Sequence, residues 1–170
     1  MRIAIRQFAR TATFAFAFTC VATSPLVAQE SGIAVGTHAP AVKLNDSEGR
    51  PVSLANVIGK QPVLIEFWAT WCENCRALEP RMLAAHKKYG AQVAFFGIAV
   101  PINQTLARVQ RYVVDRKYPF PMLWDKDGTV AADYEVPATS YVVVIDKTGK
   151  VVYTGAGGTQ DLDAAIKKAL

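Results

Sequence analysis

An α/β sandwich, with a central mixed β-sheet flanked by helices, is predicted for this chain from three observations. Short runs rich in valine, isoleucine and phenylalanine alternate with segments whose apolar residues recur every three or four positions. Hairpin signals lie at both ends of that alternation. At 170 residues, 51% of them hydrophobic, the chain can bury one core and is too short for two ordinary domains.

Residues 40–44 and 51–54 read as an N-terminal hairpin, because Asp46, Ser47, Glu48 and Gly49 between them are turn formers. The run Val63, Leu64, Ile65, Glu66, Phe67, Trp68 is a buried strand with one anomalous charge. A helix is expected over residues 72–89: Cys75, Leu78, Met82, Ala85 and Tyr89 share one face, and Gly90 stops it. Pro80 inside it lacks a backbone donor and is expected to kink it. An apolar strand over 93–100 precedes a helix over 105–117 that turns Leu106, Val109 and Val113 inward. Residues 120–124 form a short strand, placed near a sheet edge because Pro119 and Pro121 flank and interrupt it. A turn at 125–128 leads to a short helix ending near Tyr134. Residues 140–146 and 151–154 pair as a hairpin about 147–150. Gly155, Gly157 and Gly158 then mark a bend before a last helix, 161–170, with Leu162 and Ile166 inward.

The chemistry concentrates at Trp71-Cys72-Glu73-Asn74-Cys75, where two thiols sit two residues apart between the first apolar strand and its helix. A cysteine in the first helical turn meets unsatisfied N–H groups and the positive end of the helix dipole, so its thiolate is stabilised near neutral pH. The second cysteine, one turn on, can close the ring. A structural zinc site would need four ligands, but there is no second cysteine pair, and His38 and His86 lack zinc-finger spacing. Haem attachment would need a histidine at position 76, which is Arg76. A disulfide across so short a loop constrains little chain entropy, so stability alone explains it poorly. The pair reads as a redox dithiol.

Arg2, Arg6 and Arg10, an apolar stretch over 11–22, then Pro25 and small residues to Ala28 have the three regions of a secretory signal. Its apolar part is shorter than the roughly 18 residues of a spanning helix, which favours cleavage near Ala28-Gln29, with an uncleaved anchor as the alternative. Cys20, preceded by Phe18 and Thr19, does not sit in a lipoprotein signal and is expected to leave with the segment. The expected layout is signal 1–28, linker 29–35 and domain 36–170, in a periplasmic or otherwise extracytoplasmic location. Three of the 19 basic residues lie in the signal, leaving 16 against 14 acidic ones and a formal charge of +2 instead of +5. The remaining cations are scattered, with Lys87-Lys88 and Lys167-Lys168 as solvated helix ends, so no nucleic-acid footprint is expected. Membrane association is expected only if the signal stays uncleaved.

Together, Glu66-Phe67-Trp68-Ala69-Thr70-Trp71, the Cys72–Cys75 pair, Pro80 five residues later and Val136-Pro137-Ala138-Thr139 resemble thioredoxin. Gly36-Thr37-His38-Ala39-Pro40, the phrase running from Phe67 to Cys72 and an inserted helix and strand between Val100 and the proline loop are similar to the exported TlpA and ResA branch. The resemblance covers residues 36–170 and implies a thioredoxin-like fold, a thiol:disulfide oxidoreductase activity and no cofactor. Two departures stand out. Many TlpA-like proteins have a neutral residue at the Glu66 position, and an acid where this chain has Leu78; here the acid is Glu79. An acid pair at these positions resembles the C-terminal domain of DsbD.

In the mechanism this implies, Cys72 is the exposed nucleophile on a substrate disulfide and Cys75 resolves the mixed disulfide. Glu66, a carboxylate in an apolar strand, is a candidate base with a raised pKa, and Glu79, four residues after Cys75 on one helix face, is also a neighbour of the Cys75 thiol. Glu73 opposes the Cys72 thiolate and tilts the pair toward a reductant. The resemblance further implies a cis Pro137 opposite the cysteines, with the Val136 backbone pairing with an extended substrate segment. Trp71 would shield the disulfide beside the bound peptide, with Glu73 and Asn74 also at that surface, while Trp68 belongs to the core. Expected partners are protein disulfides, as in cytochrome c maturation, and a membrane-embedded thiol donor of the DsbD/CcdA type. The alternatives are a disulfide-forming oxidant, a peroxiredoxin-like antioxidant and a copper-delivery protein. A peroxiredoxin would want a threonine where Ala69 stands; copper delivery would want a different cysteine spacing and a histidine beyond His86.

Overall fold

The structure, a computed structural model, describes residues 32–170. The expected export signal, its cleavage point and Cys20 lie outside the described residues. In chain order the elements are β1 (Lys43–Asp46), β2 (Pro51–Ser53), β3 (Val63–Trp68), α1 (Glu73–Tyr89), β4 (Ala94–Ala99), α2 (Leu106–Arg116), β5 (Met122–Trp124), α3 (Thr129–Asp133), β6 (Tyr141–Ile145), β7 (Val151–Ala156) and α4 (Leu162–Lys167). One 3-10 turn, Leu54–Asn56, follows β2.

The strands form one mixed sheet in the order β2-β1-β5-β4-β3-β6-β7. Strands β3, β4 and β5 run parallel, and β1, β6 and their hairpin partners close the two sides antiparallel. Strand β5 is therefore not at an edge, contrary to the expectation from its prolines. The N-terminal hairpin pairs with it through Asn45↔Trp124 and Asp46↔Leu123, and Pro119 and Pro121 lie outside the three paired residues. The segment before β1 runs along the opposite edge: the Gly36 amide donates to the Val151 carbonyl at 2.8 Å and the Val151 amide to Thr37 at 2.9 Å. Both sheet margins are thereby covered by chain from one terminus, which blunts edge-to-edge pairing.

Each hairpin turn is pinned by an aspartate. Asp46 Oδ1 accepts from the amides of Glu48 and Arg50, both at 2.9 Å, and Asp146 Oδ1 accepts from Thr148 at 2.8 Å and Lys150 at 3.0 Å. Helix α1 buries the five residues assigned to its inner face and runs through Pro80 as one 17-residue element, so the expected kink does not interrupt it. Helix α2 is capped by the Thr105 hydroxyl, which accepts from the Arg108 amide, and ends on Lys117 in the left-handed region at φ 52°. Of its three predicted inner residues only Val109 is fully buried; Leu106 and Val113 are half-buried. Lys88 and Lys167 are exposed but engaged: both pair with Asp163, which also accepts from the Tyr89 hydroxyl at 2.5 Å, tying α1 to α4.

Candidate active site

Strand β3 delivers the chain to the site. It is central in the sheet, and its side chains alternate between two packed layers. Phe67 points to one face, against Tyr134 at 5.4 Å between centroids; Trp68 points to the other, against Tyr112 at 5.4 Å and Tyr118 at 6.3 Å. Glu66 shares the Trp68 face by the two-residue period. The position beside it on β4 is Gly97, where a methyl group would lie 2.6 Å from the Met122 sulfur and 3.1 Å from Trp68 Nε1. Glycine there leaves the room in which Trp68 and Met122 pack.

After β3 the chain turns into α1, with Cys72 as the N-cap. Its Sγ accepts from the Cys75 amide at 3.0 Å, the place a serine or aspartate oxygen commonly takes. The two cysteines are joined by a disulfide, with Cα atoms 5.3 Å apart. Cys72 is only 4% exposed in this oxidised form, against the expectation of an open nucleophile. The preceding residues are held from a distance: Gln104 accepts from the Thr70 amide at 2.9 Å and donates to the Val100 carbonyl at 2.5 Å, and the Trp71 indole donates to the Ile102 carbonyl at 2.7 Å. Trp71 remains 38% exposed, and Glu73 and Asn74 face solvent. The Glu73 carboxylate is 90% exposed and 3.6 Å from the Arg76 guanidinium. Solvent and this cation screen its charge, which weakens the hold on the Cys72 thiol that the sequence argument gave it.

Glu66 is buried in the middle of β3, and its Oε1 has no hydrogen-bond partner. Burial, and secondarily the charge of Glu79, push its pKa up to about 8. Glu79 is neither exposed nor free. Its Oε2 accepts from Arg116 at 2.6 Å and from the Tyr118 hydroxyl at 3.0 Å, and its side chain is 15% exposed. Burial and then Glu79 raise the Tyr118 hydroxyl far above its usual range, so it serves as a neutral donor.

Val136 and Pro137 precede β6, which runs antiparallel to β3 with Phe67 opposite Tyr141. The proline loop therefore enters the sheet at the margin where β3 leaves for Cys72. Val136 is half-buried and Pro137 exposed. No cis peptide occurs among the described residues, so Val136–Pro137 is trans, unlike the cis bond the resemblance implied. The loop is flanked by two residues in the left-handed region, Glu135 at φ 50° and Ser140 at φ 61°. The sequence reading missed Arg116, Tyr118, Gln104 and Ile102. All four reach the site across more than thirty positions of chain, and no local pattern marks them.

A disulfide-bonded Cys-x-x-Cys at the N-terminus of a helix, reached from an inner strand of this sheet that carries a buried acid, defines the class: a thioredoxin-like thiol-disulfide oxidoreductase. Comparison with known proteins narrows it. The family model described as AhpC/TSA matches residues 35–154. The thiol-disulfide oxidoreductase ResA of Bacillus thuringiensis subsp. konkukian is 30% identical over 145 residues, 82% of this chain and 81% of the relative. The thiol:disulfide interchange protein of the thioredoxin family from Chlorobium tepidum TLS aligns with TM-score 0.69 and 28% identity, over 80% of this chain and 97% of its own. A secreted disulfide oxidoreductase of Mycobacterium tuberculosis, described as homologous to E. coli DsbE, aligns at 0.65 and 25%, over 76% and 94%. The chain belongs to the AhpC/TSA family, among its thioredoxin-like oxidoreductases.

Proposed function

We propose that this protein is an extracytoplasmic reductant of protein disulfides, with Cys72 as nucleophile, Cys75 as resolving thiol and Glu66 as its base. The observation that carries the reading is the placement of Cys72 Sγ at the N-cap of α1, accepting the Cys75 amide, with a buried acid on the strand that leads there. In the reduced protein the same amide and the helix dipole favour a Cys72 thiolate. The thiolate attacks one substrate sulfur, and the other sulfur leaves as a thiolate that takes a proton from solvent. The Cys75 proton passes to the Glu66 carboxylate as the Cys75 sulfur bonds to Cys72, and the substrate sulfur bound to Cys72 leaves as a thiolate that takes a proton from solvent. An acid tuned to about 8 is close to a thiol's own range, so this transfer is nearly balanced.

The direction, toward reduction, is supported by what holds Cys72 Sγ: the Cys75 amide is its one hydrogen-bond donor, and the only acid between the cysteines, Glu73, opposes the thiolate weakly because it is exposed and paired with Arg76. A thiolate so modestly stabilised gives a reducing pair. Trp71, Glu73, Asn74, Val136 and Pro137 would form the substrate surface, the exposed indole covering the disulfide and the loop before β6 offering backbone to an extended segment. Residues 1–28 would export the chain, a reading that the secreted relative from M. tuberculosis supports. Cytochrome c maturation is the proposed setting and a membrane-embedded thiol donor of the DsbD/CcdA type the proposed source of electrons. The test is trapping: Cys75→Ser should accumulate a mixed disulfide with a reduced-and-reoxidised protein substrate through Cys72, and Cys72→Ser should not. Trapping through Cys75, or none with either variant, would overturn the assignment.

A further inference from the structure

Helix α2 and the residues after it are not needed to build a dithiol site, yet they send two side chains to Glu79, on the helix that carries the dithiol, and set a third, Tyr112, against one of them. The Arg116 guanidinium lies 2.6 Å from Glu79 Oε2 and stacks over the Tyr112 ring at 4.7 Å. The Tyr118 hydroxyl donates to the same oxygen at 3.0 Å, and both tyrosine rings pack against Trp68, two residues beyond Glu66. We propose that Arg116 and Tyr118 are positioning residues for the buried acid: they hold the Glu79 carboxylate from its outer side and so set how much negative charge Glu66 meets when it takes the Cys75 proton.

The proposal rests on the reading of Glu66 as the base. The charge of Glu79 acts on Glu66, and the charge of Glu66 on Tyr118. Arg116 and Tyr118 bind Glu79, Tyr112 lies under Arg116, and Cys75 is one turn before Glu79 on α1. The neighbouring strands contribute only Gly97 and Val142 in register, neither of which titrates. Glu79 is thus the only other acid among these groups, and Arg116 the only cation. The Glu79 charge makes the Glu66 carboxylate less favourable, and Arg116, bound to Glu79, offsets part of that effect. Because the pair is partly desolvated, its fields are not fully screened. Tyr118, neutral throughout the working range, fixes the carboxylate without adding charge.

The consequence is a pH profile. The dithiol of the purified protein is mixed with dithiobis-nitrobenzoate and two releases of nitrothiobenzoate are followed: the first from attack by Cys72, the second as Cys75 displaces the nitrothiobenzoate bound to Cys72. The second rate should rise with pH as Glu66 ionises, and Glu66→Gln should lose that limb. Arg116→Met should move the limb upward by about half a pH unit or more, Glu79→Gln should move it downward, and Arg116→Lys should restore it. A limb that stays in place in Arg116→Met, or a rate lowered equally at every pH, would sink the positioning role while leaving Glu66 as base. A limb that survives Glu66→Gln would instead remove the base itself, and this proposal with it.

Discussion

Glu66 is the residue on which the site's energetics turn. A carboxylate in a fully packed strand is destabilised by lost hydration, and here the destabilisation is visible as a pKa pushed from 4.5 to about 8. The sign of its linkage to stability follows. Between those two values the folded protein keeps a proton that the unfolded chain has released, so stability falls as pH rises, by at most about 1.4 kcal/mol per pH unit, and levels off above the folded value. Glu66→Gln should remove that slope in the oxidised protein, and denaturant unfolding at about pH 5 and about pH 8 would show it. Equal slopes in both proteins would mean that Glu66 is not the titrating group. The anomaly was legible in the sequence as one charge in an apolar run. Its partner was only half legible: the spacing of Glu79 from Cys75 marked it as a neighbour, but its ion pair with Arg116 depends on a helix 37 residues away.

At the scale of elements, α1 matters most, because its first turn holds the dithiol. Gly158, on the bend after β7, packs directly on that turn: a methyl group there would lie 2.6 Å from Ala77 Cβ and 3.0 Å from the Asn74 carbonyl. Since backbone cannot yield cheaply, Gly158→Ala should cost about 1–3 kcal/mol and slow disulfide exchange by displacing the turn. Gly157, beside it, faces open space but has φ 102°. Gly157→Ala should cost about 1 kcal/mol through backbone strain and leave exchange intact. Thermal unfolding and exchange rates of the two variants separate these effects; equal exchange rates would show that the bend does not support α1. The elements themselves were well marked. Period and capping residues located α1 and α2 to within a residue and both hairpins to within three, because local patterns specify them. The place of β5 was misjudged for the complementary reason. Its prolines describe its own backbone, whereas its neighbour β1 comes from nearly eighty residues earlier.

Over the whole molecule, the sheet brings together what the chain separates. Strands β3 and β6 place the cysteine turn and the proline loop at one margin. The N-terminal segment crosses from the edge at β7 to the hairpin on β5, with the Tyr134 hydroxyl donating to the Pro40 carbonyl at 2.8 Å on the way. Among the described residues no helix is long and apolar enough to cross a membrane. Fold class and dithiol were readable from motif and alternation, since both rest on short, local signals. The trans peptide at Pro137 was not, because the expectation of a cis bond came only from the resemblance. The central claim is that Cys72 and Cys75 form a reducing pair. Its most direct test is the equilibrium reduction potential of the pair in the chain from Gln29 onward, measured in thiol redox buffers with trapping of the free thiols. The account predicts a value near about −270 mV; a value near about −120 mV would make the protein an oxidant and contradict it.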